Sequence, residues 1–238
     1  MPLQQILDPA NLVALLTFSL GWTIYAYAVD GSALSRRGLS RRMNMQREAW
    51  MYTMLRRDLR MIDTAIMTGL QQGTGFFASA CIFAIGGCFA LMGSADHIAT
   101  VVTDLPLQGT FDRALLESKL LGLVTIFVFA FFKFGWAYRL FNYCTILIGA
   151  VPMAREAEAD PEAAELAVRR ALRMNQIAAR HFNSGLRAIF FAMAYLGWFI
   201  SPWVLIATTL TVILILARRQ FYSDANDCLA TTREDDAS

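Results

Sequence analysis

Four apolar runs, at about residues 11–29, 66–92, 120–148 and 187–216, are each long enough to cross a bilayer as a helix. A hydrocarbon core of ~30 Å takes about 20 helical residues. Inside it every backbone N–H and C=O must find a partner within the protein, which leaves helices as the form for runs of this length. The composition agrees: 56% of the 238 residues are hydrophobic and only 17% charged, against about 25% charged in soluble domains. The predicted architecture is all-α, a multi-pass bundle of four transmembrane helices over residues 1–222, with 223–238 as a polar, disordered tail. No Lys or Arg precedes the first run, so that run is expected to be a retained span, not a cleavable signal.

The arginines set the expected orientation. The connection between the first two runs carries eight and that between the third and fourth carries six, fourteen of the chain's 21 Lys and Arg. Basic residues favour the cytoplasmic side, so both connections are expected in the cytoplasm of a cytoplasmic (inner) membrane protein, with both termini outside. Arg218 and Arg219, just beyond the fourth run, oppose this.

Both arginine-rich connections read as helical. Over 44–66, Met51, Leu55, Leu59, Ile62 and Ile66 form an apolar stripe. No Gly or Pro separates this segment from the second span, which predicts one helix from about 44 to 92, ~70 Å long at 1.5 Å per residue. A second cytoplasmic helix, about 161–182, has Asp160 to cap it, Pro161 at its first position and Glu162 in its first turn. Its expected buried stripe is Ala163, Leu166, Ala167, Ala171, Met174, Ile177 and Ala178.

Lys133 stands in the middle of the third run, where a charge must face protein or water or snorkel to an interface. Gln72 is placed at nearly the same depth, and Arg139 near the level of Asp63. A Lys133–Gln72 contact and an Arg139–Asp63 pair would together form an intramembrane polar site along a path for small anions. The competing reading is that Lys133 is satisfied between helices. Gly69, Gly73, Ala80 and Ala84 let backbones approach and mark the second span for helix packing, within the chain or in a homo-oligomer. Pro202, between Trp198 and Trp203, is expected to kink the fourth span as a hinge.

Other chemistry finds little support. Cys81, Cys88 and Cys144 read as small buried thiols. His97 beside Asp96 lacks further ligands, and His181 falls on an apolar stripe across the membrane from it, so neither a metal nor a haem is expected. No phosphate loop, nucleophile elbow or zinc motif occurs, so neither a cofactor nor an enzyme is expected. The arginines are expected to meet anionic headgroups of the bilayer, not nucleic acid. The leading expectation is an oligomeric channel or transporter for small, anionic solutes; the alternative is a non-transporting scaffold or accessory subunit bound to an unidentified membrane protein.

A motif order adds to this reading. W-x-x-x-M-x-R-R-D-x-R-x-x-D runs from Trp50 to Asp63, followed by G-x-x-F-F-A-S from Gly73 to Ser79. F-x-F-A-F-F-K-F-x-W-x-x-R-x-x-N-Y then runs from Phe127 to Tyr143. Over about residues 10–217 the chain resembles a family of four-span membrane proteins of bacteria and plants, catalogued as a domain of unknown function. The resemblance implies a multi-pass membrane location and supplies no activity.

Overall fold

The computed structural model describes residues 8–32, 35, 38–94 and 113–229. His97 and Asp96 lie outside them, as do residues 230–238 of the tail. In chain order the described helices are α1 (Pro9–Asp30), α2 (Leu39–Leu55), α3 (Met61–Gly93), α4 (Arg113–Gly149), α5 (Ala154–Ala159), α6 (Pro161–Tyr195), α7 (Gly197–Ile200), α8 (Pro202–Phe221) and α9 (Asp224–Cys228). The described residues contain no strand, and four segments are long and apolar enough to cross a membrane: α1, α3, α4 and Pro202–Cys228.

The predicted 44–92 helix is broken. α2 stops at Leu55 and α3 starts at Met61. In one straight helix Trp50 and Asp63 would be ~20 Å apart, yet the Trp50 indole N–H donates to Asp63 Oδ1 at 2.7 Å. Of the predicted stripe, Met51 is buried, whereas Leu59 and Ile62 at the corner are exposed.

α6 starts where its capping signals place it, with the Asp160 carboxylate accepting from the Ala163 N–H at 3.1 Å. It does not stop near residue 182. It runs on to Tyr195, antiparallel to most of α4: Cys144 meets Ala171, Phe134 meets Phe182, and beyond the end of α6 Lys119 meets Trp198 of α7. Its buried face is Ala164, Val168, Ala171, Leu172, Asn175 and Ala178, about one residue round from the predicted stripe, and Leu166 is left half exposed. At Gly185 an added Cβ would lie 2.8–3.0 Å from three atoms of the Phe134 ring, so the close α4–α6 approach depends on this glycine.

The expected single span over 187–216 is two antiparallel segments. The Thr208 hydroxyl donates to the Ala194 carbonyl at 2.8 Å, which requires the chain to reverse between them. Proline has no N–H to give a helix interior. Pro202 instead opens α8, with the Ser201 hydroxyl accepting from the Val204 N–H at 3.2 Å. It starts a helix and does not kink one. α8 then runs parallel to α1, with Gly21 against Thr209 and Ile213.

α1 begins beside Trp198, whose indole N–H donates to Asn11 Oδ1 at 2.7 Å. α8 finishes at the other end of the bundle, where Gln220 donates to Ser40 at 3.1 Å. The expectation of a shared side for both termini counted 187–216 as one crossing, whereas the structure has a hairpin there. The tail also differs from expectation at its start, because α9 forms and Asn226 is buried against Arg42 and Phe221.

Two cores stack along the bundle. One is aromatic: Phe18, Trp22, Phe191 and Tyr195 join α1 to α6, with Trp22 stacked on Phe191 at 5.1 Å. The other gathers Met51, Met54, Met67, Phe141, Cys144 and Val168, where α2 and the near ends of α3, α4 and α6 meet.

Candidate functional site

The described arginines other than Arg113 and Arg187 lie toward the end of the bundle that holds α2, α5 and α9, while Arg187 sits level with the middle of α4. Arg218 and Arg219, which opposed the expected orientation, therefore fall in with the rest.

The W-x-x-x-M-x-R-R-D-x-R-x-x-D segment builds the corner there. Asp63 is fully buried, and its Oδ1 accepts from both the Trp50 indole and the Arg57 guanidinium, each at 2.7 Å. Removing a carboxylate from water is costly unless it is paired and hydrogen-bonded, and the corner supplies both partners. Arg60, three residues earlier, turns its guanidinium to the end of α4. It donates to the carbonyls of Ile148 (3.1 Å), Val151 (2.6 Å) and Pro152 (2.5 Å). Ile148 is in the last turn of α4, its carbonyl accepting also from the Val151 N–H at 3.3 Å, and Val151 and Pro152 follow directly, so the guanidinium sits at the negative end of the helix dipole. One short segment thus ties α2, α3 and α4 together.

The residues expected to form one polar site are dispersed. Asp63 pairs with Arg57 and not with Arg139. Arg139 is exposed and donates to the Tyr143 hydroxyl at 2.6 Å, its guanidinium lying over the Trp136 and Tyr143 rings. Lys133 is half-buried, with its ammonium 5.2 Å from the Phe129 ring centre. Gln72 is exposed, and its neighbour Gln71 is the one that reaches α4, donating to Thr145 at 3.0 Å. Thr145 lies twelve residues from Lys133, ~18 Å along the helix. Gly69 and Gly73 face outward, where an added Cβ meets nothing within 4 Å. Ala80 and Ala84 are half-buried.

Sequence reasoning missed two features. Asp30, at the end of α1, forms a two-pronged ion pair with the buried Arg187 of α6. Its one signal was a lone carboxylate closing an apolar run. Asn175 is fully buried, its amide against Met67 Sδ at 3.5 Å and Cys144 Sγ at 3.8 Å. Nothing in its α6 neighbours announces this.

Beside the Asp30–Arg187 pair, α1, α2, α6 and α8 leave two adjoining clefts of about 280 and 250 Å³. Val29, Ser40 and Asn183 are walls of both. The larger is lined mainly by Tyr25, Leu39, Met43, Phe190 and Leu216, together with Arg47, Arg187 and Arg219. The smaller is polar, with Asp30, Arg41, Asn44, Arg173, Gln176 and Arg180. Arg47 donates to Asn44 Oδ1 at 3.0 Å, and burial pushes its pKa down. Among the described residues no group of three or more His, Cys, Asp or Glu is placed to hold a metal.

A family model, described as a protein of unknown function, DUF599, matches residues 13–225. No curated protein and no solved structure matches the chain.

Proposed function

We propose, for a chain that belongs to the DUF599 family of proteins of unknown function, that it is a non-enzymatic scaffold or accessory subunit of the cytoplasmic membrane. It holds an arginine-rich helical layer at the inner face, against anionic headgroups and a membrane-protein partner. The observation that carries this is the filled interior between α1, α4 and α6. Phe18, Trp22, Phe191, Phe77, Phe134 and Phe182 occupy the space where a path through one copy would run.

The membrane topology belongs to the same reading. α6 is a fifth crossing, flanked by α4 on one side and by α1 and α8 on the other. It carries Arg187 because Asp30 meets it there. The arginine-rich end then lies in the cytoplasm with α9, and the start of α1 lies outside.

A second reading, an oligomeric channel for small anionic solutes, is favoured by one observation. Gln72 stands exposed beside Gly69 and Gly73 on an open face of α3, where a path would run between copies and not through one. Flux from proteoliposomes of purified protein separates the two, measured for chloride, nitrate, potassium and protons. The scaffold reading expects none above empty vesicles. An ion-selective flux abolished in Lys133→Met or Gln72→Leu would establish transport instead.

A further inference from the structure

The two clefts beside Asp30 have an unbalanced charge. Arg41, Arg47, Arg173, Arg180, Arg187 and Arg219 line them, against the single carboxylate of Asp30. That carboxylate is already engaged by Arg187. Arg47 is half-buried and has an amide oxygen for its partner, with no carboxylate beside it among the described residues. A desolvated guanidinium is stabilised by an anion that can take two or more of its N–H groups, and phosphate oxygens fit that fork. Ser40, Asn44 and Asn183 add neutral hydrogen-bonding groups to the same walls.

We propose that the paired clefts bind a phosphate-bearing anion, supplied by an anionic phospholipid. The site is built for an amphiphile: a polar cleft rich in arginine adjoins one walled by Tyr25, Leu39, Met43, Phe190 and Leu216. The headgroup phosphate lies among Arg47, Arg41 and Arg180, and the start of an acyl chain lies along α1 and α8. The proposal rests on the topology above only in placing this end at headgroup level. Ion flux reads nothing of the cleft, so the two can fail separately.

Full-length protein in detergent would be titrated with phosphatidylglycerol and, separately, phosphatidylcholine, with bound lipid read by native mass spectrometry. A parallel arm adds inorganic phosphate or glycerol 3-phosphate and reads the melting temperature. Phosphatidylglycerol is expected to bind at least tenfold more tightly than phosphatidylcholine. Arg47→Gln and Arg180→Gln should each cut that preference at least threefold. Arg169→Gln should leave it unchanged, because Arg169 is exposed outside the clefts and bonded to Glu165. Arg180 is itself exposed, so that variant keeps the test decisive if Arg47→Gln fails to fold. Stabilisation by phosphate, lost in the variants and without lipid preference, supports the anion site and moves its source to a soluble phosphate. No preference and no stabilisation, or an equal loss in Arg169→Gln, overturns the proposal.

Discussion

Asp63 shows how a buried charge can be structural in a chain where intramembrane charge first suggests transport. Its carboxylate holds Trp50 and Arg57 across a corner between two helices. Removing one partner of a buried pair costs about 3–5 kcal/mol, and Arg57→Ala leaves Asp63 with the indole alone. Thermal unfolding in detergent should therefore show Arg57→Ala strongly destabilised. Lys133→Met, whose ammonium rests over an aromatic ring at a half-buried position, should change stability by less than about 1 kcal/mol. Equal stability of Arg57→Ala and wild type would remove the corner from the account. The motif from Trp50 to Asp63 was legible as a pattern, but its pairing was not. Hydropathy places Asp63 at a membrane boundary without fixing which of several nearby arginines it meets.

At the scale of elements, capping chemistry was legible and tertiary breaks were not. Asp160-Pro161 announced the start of α6, and the serine and proline of Ser201-Pro202 carry the same signal for α8. Reading Pro202 as a kink inside one span followed hydropathy, which stays high across the reversal. The break between α2 and α3 has no Gly or Pro, because side-chain bonds from Trp50, Arg57 and Arg60 hold it. Glycines separate packing inside one copy from packing between copies. Gly185→Ala should destabilise by about 1–3 kcal/mol, since the added methyl meets the Phe134 ring. Gly69→Ala and Gly73→Ala meet nothing, and should stabilise an isolated copy by about 0.5–1 kcal/mol through helix propensity. If these two variants instead lower a measured oligomer mass or the melting temperature, a second copy packs on that face of α3, as the homo-oligomer expectation requires.

For the molecule as a whole, the multi-pass all-α class was legible because apolar runs of span length have few other folds available. The hairpin within 187–216 was not, because the amphipathic first half of α6 reads as cytoplasmic and its second half merges with α8 in hydropathy. The hairpin also brings Arg218 and Arg219 to the arginine-rich end, which makes the charge segregation more complete than the four-crossing count allowed. The proposed topology thus has an odd number of crossings, with the start of α1 outside and α9 in the cytoplasm. Cys228 is exposed, whereas Cys81, Cys88 and Cys144 are buried, so a membrane-impermeant maleimide reads the C-terminal end with little background. The most direct measurement is labelling of Cys228 and of an introduced Asp8→Cys in sealed right-side-out cells, before and after permeabilisation. Asp8→Cys should label at once and Cys228 only after permeabilisation. Labelling of both residues in sealed cells would return the chain to an even number of crossings and contradict the account.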